Sequence, residues 1–132
     1  MENAYIYDTK IGRLMTASNL QAVTGIYFEN QIDDKSYIIA EDDIHRQAIA
    51  QINEYLDGKR KTFDITLDLK GTEFQKRVWN VLLDIPYGKT ASYKDVAYRA
   101  GNDKACRAVG MANNRNPIPI IIPCHRVNRL KR

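Results

Sequence analysis

Residues 71–113 read GTEFQKRVWNVLLDIPYGKTASYKDVAYRAGNDKACRAVGMAN. Thr72 followed by Gln75 is a capping box, and it predicts a helix that buries Phe74, Val78, Leu82 and Trp79. Residues 85–89, IPYGK, break that helix. Ser92 followed by Asp95 is a second box; it opens SYKDVAYRA, which Gly101 is placed to close. Asn102 or Asp103 then stands where a cap would start a third helix, KACRAVGMAN. Two short helices joined by a tight Gly-containing turn form a helix-turn-helix pattern, whose second helix faces DNA and here carries Lys104 and Arg107. Many helix pairs of this kind bind nothing, so the pattern decides a fold before it decides a function.

Upstream the chain has another character. AYIYD (4–8), RLMTAS (13–18) and VTGIYFE (23–29) are rich in Tyr, Ile, Val and Thr and are separated by turn residues, predicting three short strands. In residues 41–58, Ile44, Ala48, Ile52 and Leu56 recur every four positions, with acids in the first turn and Gly58 at the end: an amphipathic helix. His45, on the polar side of that pattern, is expected to be solvated. In KRKTFDITLDLKG (59–71), Phe63, Ile65, Leu67 and Leu69 alternate with Asp64, Thr66 and Asp68, predicting a half-buried strand. The reading is therefore mixed α/β (α+β): a small strand-and-helix domain over residues 1–70, then a helical domain over 71–132.

Composition fits such an arrangement. The chain has 132 residues, 44% of them hydrophobic. No apolar stretch is long enough to span a bilayer, and the N-terminus lacks a signal peptide's order, so a soluble cytoplasmic protein is expected. Both cysteines, Cys106 and Cys124, are expected as free thiols. The net charge of +4 is unevenly spread: residues 1–70 hold 12 acids and 8 bases, whereas residues 104–132 hold 7 bases and no acid. A basic second half suits a polyanionic partner.

Downstream, residues 114–127 read NRNPIPIIIPCHRV. Pro117, Pro119 and Pro123 lack N–H groups and push their predecessors to extended conformations, predicting a stiff, extended, largely buried ribbon that delivers Cys124. Most free cysteines are structural, but so rigid a mount also suits a nucleophile. A thiol attacks as its thiolate, so a proton acceptor is needed. On an extended chain His125 would point away from Cys124, leaving a bridging water or a base from elsewhere unless the chain turns there.

The stretches 71–101, 104–127 (KACRAVGMANNRNPIPIIIPCHRV), 8–18 (DTKIGRLMTAS) and 23–28 together resemble the O6-alkylguanine-DNA alkyltransferases, the methylated-DNA–protein-cysteine methyltransferases. PCHRV with the upstream NPIPI is the most specific part. The resemblance implies a ribonuclease-H-like N-terminal domain and a helix-turn-helix, winged-helix-like DNA-binding domain. It implies single-turnover repair: the base is flipped from the duplex, and the alkyl group of O6-alkylguanine, with O4-alkylthymine as a second substrate, passes irreversibly to Cys124. His125 would relay the thiol proton through water, Asn116 would brace the segment, and Tyr93 would crowd the flipped nucleotide's phosphate and donate to the departing guanine. Arg107 would fill the vacated stack, with Ser92, Tyr93, Lys104, Ala105, Cys106, Ala108 and Arg115 making up the rest of the DNA-facing set. The small residues around Arg107 would let its helix enter the minor groove. Cys106 stands where the family usually has alanine and reads as packing. The implied partner is duplex DNA carrying alkylated guanine, bound by a monomer, with no membrane, no cofactor and no metal.

Two departures stand beside the resemblance. The family continues past PCHRV with a Gly-rich loop and a helix whose glutamate completes the Cys–His relay; here NRLKR follows and no acid lies beyond Asp103. A non-catalytic or impaired alkylated-DNA-binding protein is therefore the second expectation, although alkyltransferase-like members replace the cysteine that this chain keeps. The N-terminal zinc ligands of some relatives are also missing.

Overall fold

The structure, a computed structural model, describes residues 2–128; Arg129, Lys131 and Arg132 of the basic tail lie outside them. Two compact units divide the chain at Leu69/Lys70. Unit one is a sheet with one helix. Strands β1 (Asn3–Thr9), β2 (Gly12–Ser18) and β3 (Val23–Phe28) form an antiparallel meander, and a two-residue β4 (Ile38–Ile39) pairs parallel with β1, giving the order β3-β2-β1-β4. Side chains alternate across a sheet, so Asn3, Tyr7 and Ser18 share a face. Asn3 and Ser18 donate to Asp42, and Tyr7 donates to Glu41. This fixes the start of helix α1 (Asp43–Leu56).

Two expectations are corrected here. His45 is not solvated: it is 0% exposed, beside the buried Ala48 and Ile52. It closes a capping box, its Nδ1 accepting the Asp42 amide (3.3 Å) while Asp42 accepts the His45 amide (3.0 Å). An apolar count cannot see a polar ring that occupies the inner face in order to cap. Nor does the 63–69 segment form a regular strand. It makes one parallel bridge, Val23 with Leu67. Its alternate side chains are half-buried as expected, but the backbone of Asp64 is taken in both directions by the Gln51 amide on α1 (2.8 and 2.9 Å) instead of by a strand.

Unit two holds α2 (Glu73–Leu83), α3 (Tyr93–Arg99) and α4 (Cys106–Asn114). Both predicted capping boxes are present, Thr72 with Gln75 and Ser92 with Asp95. Val78, Trp79, Val81 and Leu82 are buried; Phe74, expected among them, is only half-buried, with the Arg77 guanidinium 5.6 Å from its ring centroid. Trp79 ties α2 to α4 by donating from Nε1 to the Ala112 carbonyl (2.9 Å), and Arg77 ties α2 to the end of α3 at the Ala100 carbonyl (3.0 Å). Gly101, at φ +94°, takes the left-handed conformation that ends α3. Neither Asn102 nor Asp103 caps α4, which begins after Ala105 with no side-chain cap. Asn102 accepts from the Lys104 amide instead (3.2 Å), one turn too early, and leaves Lys104 in the connecting turn.

Candidate active site

The segment from Asn116 to Arg126 is folded back on itself, not an extended ribbon. The Ile122 amide donates to the Ile118 carbonyl (2.9 Å), and Pro119 bridges Ile122. Ile120 stands at φ +75°, a costly conformation for a β-branched residue. The prolines explain both the expectation and its failure. They restrict Asn116, Ile118 and Ile122, which precede them, but Ile120 precedes Ile121 and is free to turn. Burial of Ile118, Ile120, Ile121 and Ile122, none more than 9% exposed, offsets that strain, of order 1–3 kcal/mol.

Asn116 braces the turn with both ends of its amide. Its Nδ2 donates to the Ile122 carbonyl (2.8 Å) and its Oδ1 accepts from the Ile118 amide (2.9 Å). From there the chain enters a single 3₁₀ turn, Cys124–Arg126. Successive side chains in such a turn diverge by about 120° instead of the roughly 180° of a strand, so the objection to Cys124 and His125 acting together is removed. Cys124 is half-buried and His125 is exposed. Water removed from around the His125 ring, with the Arg126 charge second, holds its pKa below the ordinary histidine value. The base form is thus favoured, as a proton acceptor requires.

The same turn is sewn to the start of α3. The Ala91 amide donates to the Arg126 carbonyl (2.9 Å) and the Asn128 amide to the Ala91 carbonyl (2.8 Å), a parallel bridge between Ala91 and Val127. Two residues on, Tyr93 begins α3. Its half-buried ring packs on Gly110 of α4, where a Cβ would stand 3.0 Å from the ring. Tyr93, Cys106, Arg107, Gly110, Met111 and Asn114 line a depression of about 350 Å³. Arg107 is exposed at its rim, with Ala105, Cys106 and Ala108 half-buried beside it.

Three residues expected to face DNA are placed apart from this depression. Ser92 is 3% exposed and its hydroxyl accepts the Asp95 amide (3.0 Å), so it positions Tyr93 and offers no side chain to a ligand. Lys104 is exposed in the turn before α4. Arg115 ends α4 and lines a separate depression with Phe74, Met111 and Ala112 among others. Conversely, Gly110, Ala91 and Arg126 were not singled out in the sequence. Only Gly110 carried a signal, since a glycine inside a helix often marks a close approach.

Comparison with known proteins meets this geometry. The family profile "6-O-methylguanine DNA methyltransferase, DNA binding domain" matches residues 73–131, and the "ribonuclease-like domain" profile of the same methyltransferases matches residues 4–69. The chain belongs to the 6-O-methylguanine DNA methyltransferase family. It is 43% identical over 92% of its length to a methylated-DNA–protein-cysteine methyltransferase of Methanosarcina acetivorans, covering 80% of that protein. The corresponding protein of Mycobacterium leprae is 45% identical over 91% of this chain and 74% of its own length. A solved structure of Mycobacterium tuberculosis OGT in complex with DNA matches with a TM-score of 0.88 at 41% identity, over 96% of this chain and 78% of that one. The mixed α+β reading with ribonuclease-like and DNA-binding parts holds for this family member. Among the described residues, no cluster of His, Cys, Asp or Glu is placed to hold a metal, and no helix is long and apolar enough to cross a membrane.

Proposed function

We propose that this family member repairs duplex DNA by taking the alkyl group of O6-alkylguanine onto its own Cys124. The observation that carries the reading is the Ala91–Val127 bridge, which fastens the Cys124–His125 turn to the first residues of α3, whose Tyr93 lines the depression beside Arg107. The helix-turn-helix lies against the minor groove, α4 approaching closely because Ala105, Cys106 and Ala108 are small. The damaged base is flipped out, Arg107 occupies its place in the stack, and Tyr93 crowds the flipped nucleotide's phosphate. His125, neutral at working pH, accepts the Cys124 proton through a water. The thiolate sulfur then bonds to the alkyl carbon as the carbon–O6 bond breaks. The released electron pair stays on the purine, which takes a proton from the Tyr93 hydroxyl and leaves as guanine. The thioether is stable, so each monomer acts once, in whichever compartment holds the DNA.

Intact mass after incubation with a duplex carrying one O6-methylguanine tests this. A gain of one methylene, mapped by peptide sequencing to Cys124, is expected. Methylation on Cys106, or tight binding of the lesion with no mass change, would replace this reading, the latter by a non-catalytic lesion binder.

A further inference from the structure

Arg126 follows the nucleophile segment's histidine; its carbonyl belongs to the Ala91–Val127 bridge, but the mechanism above does not use its side chain. Both are engaged. Its Nη1 donates to the Ile85 carbonyl just past α2 (2.7 Å), and its guanidinium carbon lies 5.6 Å from the Tyr87 ring centroid. Its own carbonyl receives the Ala91 amide (2.9 Å). One residue thus grips both ends of the connection between α2 and α3, residues 85 to 91. Only a planar, multi-donor cation can donate in plane to a carbonyl while its face lies over an aromatic ring. The connection it grips contains Gly88 at φ +80° and carries no helix; the Lys89 amide turns back to the Pro86 carbonyl (3.0 Å), and the Arg126 side chain adds a tie at the Ile85 end.

We propose that Arg126 is a positioning residue: a latch that sets the distance between the Cys124 turn and Tyr93 by fixing the 85–91 connection to both. This rests on the transfer chemistry proposed above. In-line displacement is intolerant of misplacement, with an ångström costing about 10²-fold in rate. The exposed bases assigned to DNA, Lys104, Arg107 and Arg115, lie outside residues 85–91 and 124–126, so duplex affinity is expected to change little. The Arg126 charge also disfavours a second positive charge on His125.

Three variants test the latch by single-turnover transfer at saturating duplex: Arg126→Gln, which removes the planar guanidinium and its charge; Arg126→Lys, which keeps the charge; and Tyr87→Leu, which removes the aromatic ring. Transfer is expected to slow by about 10- to 100-fold in Arg126→Gln and by a smaller factor in the other two, with the duplex Kd within about threefold throughout. The His125 titration, followed by NMR, should move up in Arg126→Gln and stay in place in Arg126→Lys. A saturating rate within about threefold of wild type in all three variants overturns the proposal, as does a loss that falls wholly on Kd. Should the wild-type chain transfer nothing, the functional reading fails separately. Labelling of Cys124 by an aromatic disulfide, read by peptide mass, then decides the latch: faster labelling in Arg126→Gln and Tyr87→Leu supports it, and unchanged labelling overturns it.

Discussion

Replacing Cys124 by alanine deletes one sulfur from a segment whose shape is set elsewhere, by Asn116 and by the Ala91 bridge. Transfer should be lost entirely while duplex affinity stays within about twofold, the size of change expected for a substitution that touches no cap, network or core contact; methyl transfer persisting in this variant would remove Cys124 from the mechanism. At Arg107 the test is a comparison of substrates. Flipping a base from a duplex costs a few kcal/mol, and a single strand has less stacking to replace. Arg107→Ala should therefore slow repair of duplex more than repair of single-stranded oligonucleotide, and equal losses would mark a simple phosphate contact. His125 makes a third case. Its pKa is held below the ordinary value near 6.5, first by the partial loss of water around its ring and then by Arg126, so protonation removes the base only at lower pH. Transfer measured by rapid quench should decline with falling pH at a midpoint below the ordinary histidine value; a midpoint at or above that value would remove His125 as the base.

Elements show how one side chain can hold several residues. Asn116→Ala strands the Ile118 amide inside an apolar turn, while the Ile122 carbonyl keeps the Cys124 amide (2.8 Å), costing about 1–3 kcal/mol for the one unsatisfied group. Chemical denaturation followed by the fluorescence of Trp79, the single tryptophan, reports that loss in unit two directly. At α1, burial alone would raise the Asp42 carboxyl, but hydrogen bonds from Ser18, the His45 amide and Asn3 hold it below the usual carboxylate range. A depressed carboxylate contributes stability above its unfolded pKa, near 4, and loses it as pH falls through the folded value. Asp42→Ala should destabilise α1 by about 1–2 kcal/mol at pH 7, read from hydrogen exchange of the α1 amides, and the gap to wild type should narrow below pH 4. A gap that is constant down to pH 2 would mean that the cap works without its charge.

The whole molecule divides its charge between its units: residues 1–70 hold 12 acids against 8 bases, and residues 104–132 hold 7 bases and no acid. Phosphate contacts release counterions, about 0.9 per contact on duplex DNA. With Lys104 and Arg115 exposed on unit two beside Arg107, which is assigned to the stack, the plot of log affinity against log salt should have a slope of about −2 or steeper. Lys104→Gln should reduce its magnitude by about one, whereas Arg107→Ala should change it less if that side chain enters the stack. A slope near zero would separate the basic residues from DNA binding altogether.

Local rules made much of this legible in advance. Two capping boxes, the Tyr, Ile, Val and Thr content of the first three strands and the apolar spacing of α1 each depend on local properties of the chain, so they survive in sequence. The motif around Cys124 carried the family in the same way. Other features depend on which groups meet across the fold, and these only the tertiary structure decided. Gln51 took the Asp64 backbone that a strand neighbour would have paired. Arg126 was one more base in a basic tail until Ile85, Tyr87 and Ala91 came within reach. The physical reason is common to both. A hydrogen bond or stacking contact between residues far apart in the chain leaves no periodicity behind, because its partner is chosen by distance in the folded protein and not by spacing along the sequence.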